Sequence, residues 1–236
     1  MLHLTDMLPD LQKGTALDVG TRFGEFAFTL KEAMPEGSRI LGLDCVPETV
    51  AQAREKQAGK GLEFVLGDAA HLDFPDHSME LVAISNTLHH IEHYDAVLDE
   101  MLRVLRPGGY FLVNEMFSDH QNDAQQTHDA QHSLEAKLDV LAGGFQRPAW
   151  KRDEIIAILR RLPLTDVQVQ ERLEEPEMDR KLGEKTVKLA DAVEKKAAGK
   201  PEHDGLLAEA QQIQARYART GIQRCTQLVY VGRKPQ

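Results

Sequence analysis

A chain of 236 residues with 28 basic and 38 acidic side chains has a net charge of −10. That balance repels phosphate backbones and, with no basic cluster to offset it, argues against nucleic acid as a partner. Hydrophobic residues make up 42%, enough to build the core of a single domain over residues 1–236, yet no apolar run reaches the roughly 20 residues of a membrane span.

The opening MLHLTDMLPD is too short and too acidic to be expected as a secretory leader. Cys45 and Cys225 lack metal-like spacing, so a reducing cytoplasm is the expected compartment. Strand-length apolar runs then alternate with helix-period segments. TALDVG (15–20), RILGLD (39–44), LEFVLGD (62–68), MELVAIS (79–85) and GYFLVNE (109–115) read as strands buried on both faces, the pattern of a parallel sheet. Between them, 25–34, 47–58 and 94–105 have helical period. Pro47 suits a first turn, and RPGG after Leu105 supplies a stop with turn chemistry. Further on, 126–144 and 152–162 read as helices, 166–173 as a strand, and 226–234 as the last strand, antiparallel to the rest. The charged stretch 174–220, broken at AGKPEHDG (198–205), reads as an αα-hairpin insertion. The expected fold class is α/β: a doubly wound, Rossmann-like, mostly parallel seven-stranded sheet.

The stretch LDVGTRFGEF (17–26) passes from strand through two glycines into a helix. Gly20 and Gly24 let the main chain approach a ligand, and the helix start offers unpaired N–H groups to an anion. Asp44 ends the second strand, where a carboxylate can accept both hydroxyls of a ribose. Asp68 follows the third strand, where it serves a ligand or simply forms the turn.

Four segments in order, LDVGTRFGEF, ILGLD, VLGDAAHLDFPDHSMELV, and ISNTLHHI with LRVLRPGGYFLVNE, resemble the class I S-adenosylmethionine-dependent methyltransferases, in particular the small-molecule, ubiquinone/menaquinone-biosynthesis-like branch. The resemblance implies S-adenosyl-L-methionine over Asp18, Gly20, Thr21, Arg22, Gly24, Asp44, Cys45, Asp68 and Ala69, with Ser85 and Asn86 near the methionyl end. It implies methyl transfer to a small-molecule acceptor by in-line displacement. It also makes 116–150, after the fifth strand, a lid or substrate segment. Arg22 is a departure, because the family more often has glycine there. The side chain either pairs with the methionyl carboxylate or turns to solvent toward Glu25.

A base is needed only if the acceptor arrives protonated. His89, His90 and Glu115 are the catalytic candidates, because they follow strand ends where the site must lie. His128, His132, Glu135 and Asp139 share one helix face, and Trp150 flanks it, so His128, His132 and Trp150 are expected at the substrate. His-x-x-x-His can chelate a metal if a third ligand converges, but the sharper His-Glu-x-x-His pattern is missing, and no resident metal is expected. The lack of an Asn/Asp-Pro-Pro-Tyr motif weighs against amide or nucleobase amines as acceptors. The 174–220 hairpin is a candidate homodimer surface. Two other readings stay open: a non-catalytic adenosylmethionine-binding or scaffold protein, and an NAD(P)-dependent oxidoreductase, although no G-x-G-x-x-G loop is present.

Overall fold

The structure, a computed structural model, describes residues 4–173 and 179–236. Seven strands form one sheet: β1 (Thr15–Val19), β2 (Arg39–Asp44), β3 (Glu63–Leu66), β4 (Met79–Ser85), β5 (Leu105–Met116), β6 (Thr165–Arg172) and β7 (Gln227–Arg233), in the order β3-β2-β1-β4-β5-β7-β6. Strands β1 to β5 run parallel, and β7 is antiparallel to both its neighbours. This is the expected doubly wound, mostly parallel sheet with a reversed last strand.

The apolar runs are continuous because both faces of the sheet are covered. Ala16, Ile40, Leu81 and Leu112 pack against α1 (Leu4–Met7), α2 (Glu25–Ala33) and α3 (Pro47–Lys56). The alternate residues Leu17, Leu41, Val82 and Phe111 pack against α4 (Tyr94–Val104) and α6 (Arg152–Leu159). A third apolar cluster joins α5 (Asp123–Leu141) to α8 (Leu189–Ala197) and α9 (His203–Thr220) through Leu134, Leu138, Val193, Ala210 and Ile213.

Three boundaries differ from the sequence expectation. α5 begins at Asp123 rather than 126, because Asn122 caps it: its side chain accepts from Gln125 N while the Gln125 side chain accepts from Asn122 N. β5 begins at Leu105 rather than 109. Helix α4 does stop at Val104, but Arg106-Pro-Gly-Gly enters the sheet edge through a register shift between Met79 and Leu81, with Gly108 at φ 72°. Last, the expected hairpin contains a third helix, α7 (Arg180–Val187), separated from α8 where Lys188 leaves the helical well at ψ 8°. The first part of that stretch, 174–178, lies outside the described residues.

Candidate active site

Strand β1 lies between β2 and β4, so the chain leaves the sheet in opposite directions on its two sides, and a crevice opens at the carboxyl ends of these strands. A cavity of about 1090 Å³ occupies it.

One end is built by the β1–α2 loop. Gly20 has φ 69°, and a Cβ there would stand 2.1 Å from Thr87 Cγ2. Thr87 Oγ1 is fixed 3.0 Å from Gly20 O and 2.9 Å from Ser85 O. Gly24 has φ 80°, and a Cβ there would meet the Phe64 ring at 2.6 Å. Arg22 adopts φ 51° without being glycine, so the loop keeps its left-handed turn despite a side chain that costs about 1 kcal/mol there. Its N–H donates to Asp44 Oδ2 at 3.0 Å, and Val46 N–H donates to Oδ1, also at 3.0 Å. Asp44 therefore ties the first two loops together and lines the cavity. The Arg22 side chain lines the cavity, with its guanidinium 4.9 Å from the Phe23 ring centroid.

Asp18 sits beneath this loop, 1% exposed, accepting from Thr21 Oγ1 at 2.7 Å. Burial outweighs that bond and pushes its carboxyl up to about 7. Below the ordinary value of 3.8, Asp18 is protonated both folded and unfolded, and its site contributes full stability. As the pH rises toward 7 only the unfolded chain releases the proton, so stability falls, by roughly 4 kcal/mol across the window. Urea denaturation between pH 4 and pH 8 should show this loss, and Asp18→Asn should flatten it; an unchanged slope in the variant would remove Asp18 as its source.

The other end of the cavity is rich in imidazole. β4 ends in a 3-10 turn, Leu88–His90, that carries His89 and His90. The His89 ring Nδ1 lies 2.7 Å from Glu115 Oε1, and Glu115 Oε2 accepts the Leu88 N–H at 3.0 Å. Glu115 is 1% exposed. With the Nδ1 proton held by this carboxylate, His89 Nε2 is the lone-pair nitrogen, with no protein partner among the described residues. His132 meets His89 edge-on, their centroids 4.7 Å apart, and the His90 ring is 4.3 Å from His89. The Nδ1 of His128 accepts the Cys225 N–H at 3.0 Å. Burial pushes His90 and His128 down to about 4 and His132 to about 3, so all three are neutral near pH 7.

The sequence candidates divide accordingly. Gly20, Arg22, Asp44, Cys45, Asp68, Ala69, Asn86, His89, His90, His128 and His132 line the cavity. Asp68 also forms its own turn, accepting Ala70 N–H at 2.9 Å. Asp18, Thr21, Gly24 and Ser85 lie behind the wall and hold it from beneath, and Glu115 stands behind His89. Trp150 is not among the cavity-lining residues; it packs edge-on against Tyr94 at 5.8 Å and under the Arg147 guanidinium at 4.8 Å. Among the described residues no group of three or more His, Cys, Asp or Glu side chains is set to hold a metal ion. His128 and His132 are instead directed to Cys225 and Gln146. Sequence reading missed Thr87, Gln146, Lys181, Lys185 and Arg224. Thr87 lies within the quoted ISNTLHHI segment without having been singled out, whereas the other four reach the site only through tertiary packing.

Residues 17–113, covering β1 to most of β5, match a family model described as a methyltransferase domain. Over these residues the chain is similar to methyltransferase domains. A demethylmenaquinone methyltransferase of Thermus thermophilus is 40% identical over 101 residues, 42% of this chain and 46% of the relative. A fatty-acid O-methyltransferase of Mycolicibacterium smegmatis is 35% identical over 115 residues, 49% of this chain and 42% of that one. The chain thus spans less than half the length of the curated relatives it matches. Over the whole chain, likeness is in the fold. A crystal structure of a putative methyltransferase from Bacillus halodurans superposes with a TM-score of 0.62 over 99% of this chain and 98% of that one, at 18% identity. The [4+2]-cyclase SpnF superposes with a TM-score of 0.61 over 98% and 80% of the two chains, at 21% identity.

Proposed function

We propose that the protein transfers a methyl group from S-adenosyl-L-methionine to a small-molecule acceptor by in-line displacement. The observation that carries this reading is one cavity joining the Asp44-tied glycine loop to the buried His89–Glu115 pair. The residues fit the cofactor. Asp44 offers carboxylate oxygens to ribose hydroxyls, Arg22 offers a cation to the methionyl carboxylate, and the cavity exceeds the size of a single small ligand. When bound, the cofactor supplies an electrophilic methyl on a sulfonium. The chain's own part is to align the acceptor, exclude water and accept a proton at His89 Nε2, with Glu115 holding the imidazole in the tautomer that can do so. In this reading the 116–150 segment and the helices after residue 178 supply the acceptor side, through His128, His132, Gln146 and Leu182.

Calorimetric titration of ligand-stripped protein with S-adenosylmethionine, S-adenosylhomocysteine and NAD⁺ tests the reading. Micromolar binding of the first two, and none of NAD⁺, is expected. NAD⁺ binding alone would favour the oxidoreductase alternative, and cofactor binding with no turnover on any acceptor would favour a scaffold. Asp44→Ala should weaken S-adenosylmethionine binding by about tenfold to a hundredfold, the effect of losing hydrogen bonds to a charged acceptor. An unaltered affinity would place the ribose elsewhere.

The acidic net charge supports a small molecule rather than a nucleic acid as the acceptor. Both cysteines are unpaired, and no described helix is long and apolar enough to cross a membrane; the free thiols support a reducing compartment. Val187 on α7 is 63% exposed and supports a homodimer surface on the helical insertion, which sedimentation at graded concentrations would detect.

A further inference from the structure

A second cavity, of about 330 Å³, lies between α5, α9 and the connection that follows α5. Its wall is Ala136, Val140, Leu141, Pro148 and Leu206, with Lys137 and Glu202. Lys137 is engaged by Glu209 at 2.7 Å. A polar ligand group entering here would give up water for few partners, which is unfavourable, whereas hydrocarbon would gain. The cavity falls at the lower end of the range for bound organic ligands. Val140 is 52% exposed at this site, an apolar side chain left uncovered.

The position of this cavity matters more than its chemistry. Gln146 lines it and also lines the large cavity of the active site. The Gln146 side chain is therefore a partition between the two. One side-chain hydrogen bond holds it, from Nε2 to His132 Nε2 at 2.9 Å, and His132 is the ring set edge-on to His89. The partner imidazole is uncharged, so the bond is of ordinary strength and exchangeable. Gly143 at φ 88° and Gly144 precede the partition in a connection without regular secondary structure.

We propose that the second cavity receives a straight aliphatic portion of the acceptor, which passes Gln146 while the reacting group stays beside His89. The inference rests on the methyl-transfer reading of the main cavity and deepens it by assigning the acceptor's class: a small polar head on an unbranched hydrocarbon chain. Displacing the Gln146 amide connects the two spaces. The apolar wall then selects for chain length, each methylene buried strengthening binding about fourfold.

The test uses the full chain saturated with S-adenosylhomocysteine and a series of primary n-alkanols from butanol to decanol as probes. Failure of S-adenosylhomocysteine to bind would sink the methyl-transfer reading itself, and is scored separately. With the cofactor product bound, the alkanol dissociation constant should fall about fourfold per methylene and level off once the cavity is full. Val140→Asp, at an exposed position that leaves folding intact, should abolish that dependence without changing S-adenosylhomocysteine affinity. Intermolecular nuclear Overhauser contacts should link the terminal methyl to Val140 and Leu206, and the carbinol end to His132. Affinity independent of chain length, or a dependence that survives Val140→Asp, would overturn the proposal. So would carbinol contacts confined to the Val140 side, since the chain would not then pass Gln146. A concentration-dependent dimer that Val140→Asp dissociates would overturn it too, making the apolar patch a contact between copies.

Discussion

Replacing His89 with glutamine should lower kcat by about two to four orders of magnitude, the range for losing a general base, and leave S-adenosylmethionine affinity nearly unchanged. Glu115→Gln should do much the same by a different route. Glu115 is buried and accepts from two donors at once, Leu88 N–H at 3.0 Å and the His89 ring at 2.7 Å. A carboxylate satisfies both, but an amide presents one oxygen and one NH₂ group, so one donor would face another donor. The imidazole would then turn or change tautomer, and Nε2 would no longer be the acceptor. The measurement is S-adenosylhomocysteine release with the first acceptor found, alongside the nitrogen chemical shifts of the His89 ring. A changed tautomer with unchanged kcat would mean that the acceptor arrives already deprotonated and that His89 only shapes the cavity.

The largest expected effect on stability is at Gly20. Gly20→Ala places a Cβ at φ 69°, costing about 1–2 kcal/mol in backbone conformation. It also drives that atom to 2.1 Å from Thr87 Cγ2. Thr87 cannot swing aside freely, because its hydroxyl is held against Gly20 O and Ser85 O, and forced overpacking adds about 1–3 kcal/mol. Together these approach the lower end of a domain's whole stability. Urea denaturation of the single variant should show the loss. Adding Thr87→Ser removes Cγ2 but keeps Oγ1 at 2.7 Å and Cβ at 2.9 Å from the new atom, so it should relieve part of the steric cost and leave the backbone part. A double variant no more stable than Gly20→Ala would locate the strain elsewhere in the loop.

Both arguments turn on residues that the sequence had singled out, but on contacts it could not contain. Continuous apolar runs separated by helical periods determined the doubly wound sheet, because a strand buried on both faces has no polar alternation to show. The glycines at 20 and 24 and the acids at 44 and 68 marked the glycine-loop end of the cavity, because such loops have local requirements: backbone freedom and a carboxylate at a fixed distance along the chain. Arg22 is instructive in between. It stands where the family more often has glycine, yet a left-handed turn forms at φ 51°, held by the Asp44 carboxylate 22 residues away.

The acceptor end was legible only in part. Helical spacing put His128 and His132 on one face, and strand ends brought forward His89 and Glu115, but their pairing across 26 residues is a property of sheet register: β4 lies beside β5 with Ser85 opposite Asn114. Trp150, which sequence leaves open between pocket and packing, has its ring against Tyr94 and Arg147. Gln146, Lys185 and Arg224 carry no local signature. The chain order of residues thus determined the fold and the β1–α2 glycine loop, whose physics is short-range. The imidazole-lined wall and the Gln146 that lines both cavities were decided by the tertiary structure, because they are assembled from segments far apart in sequence.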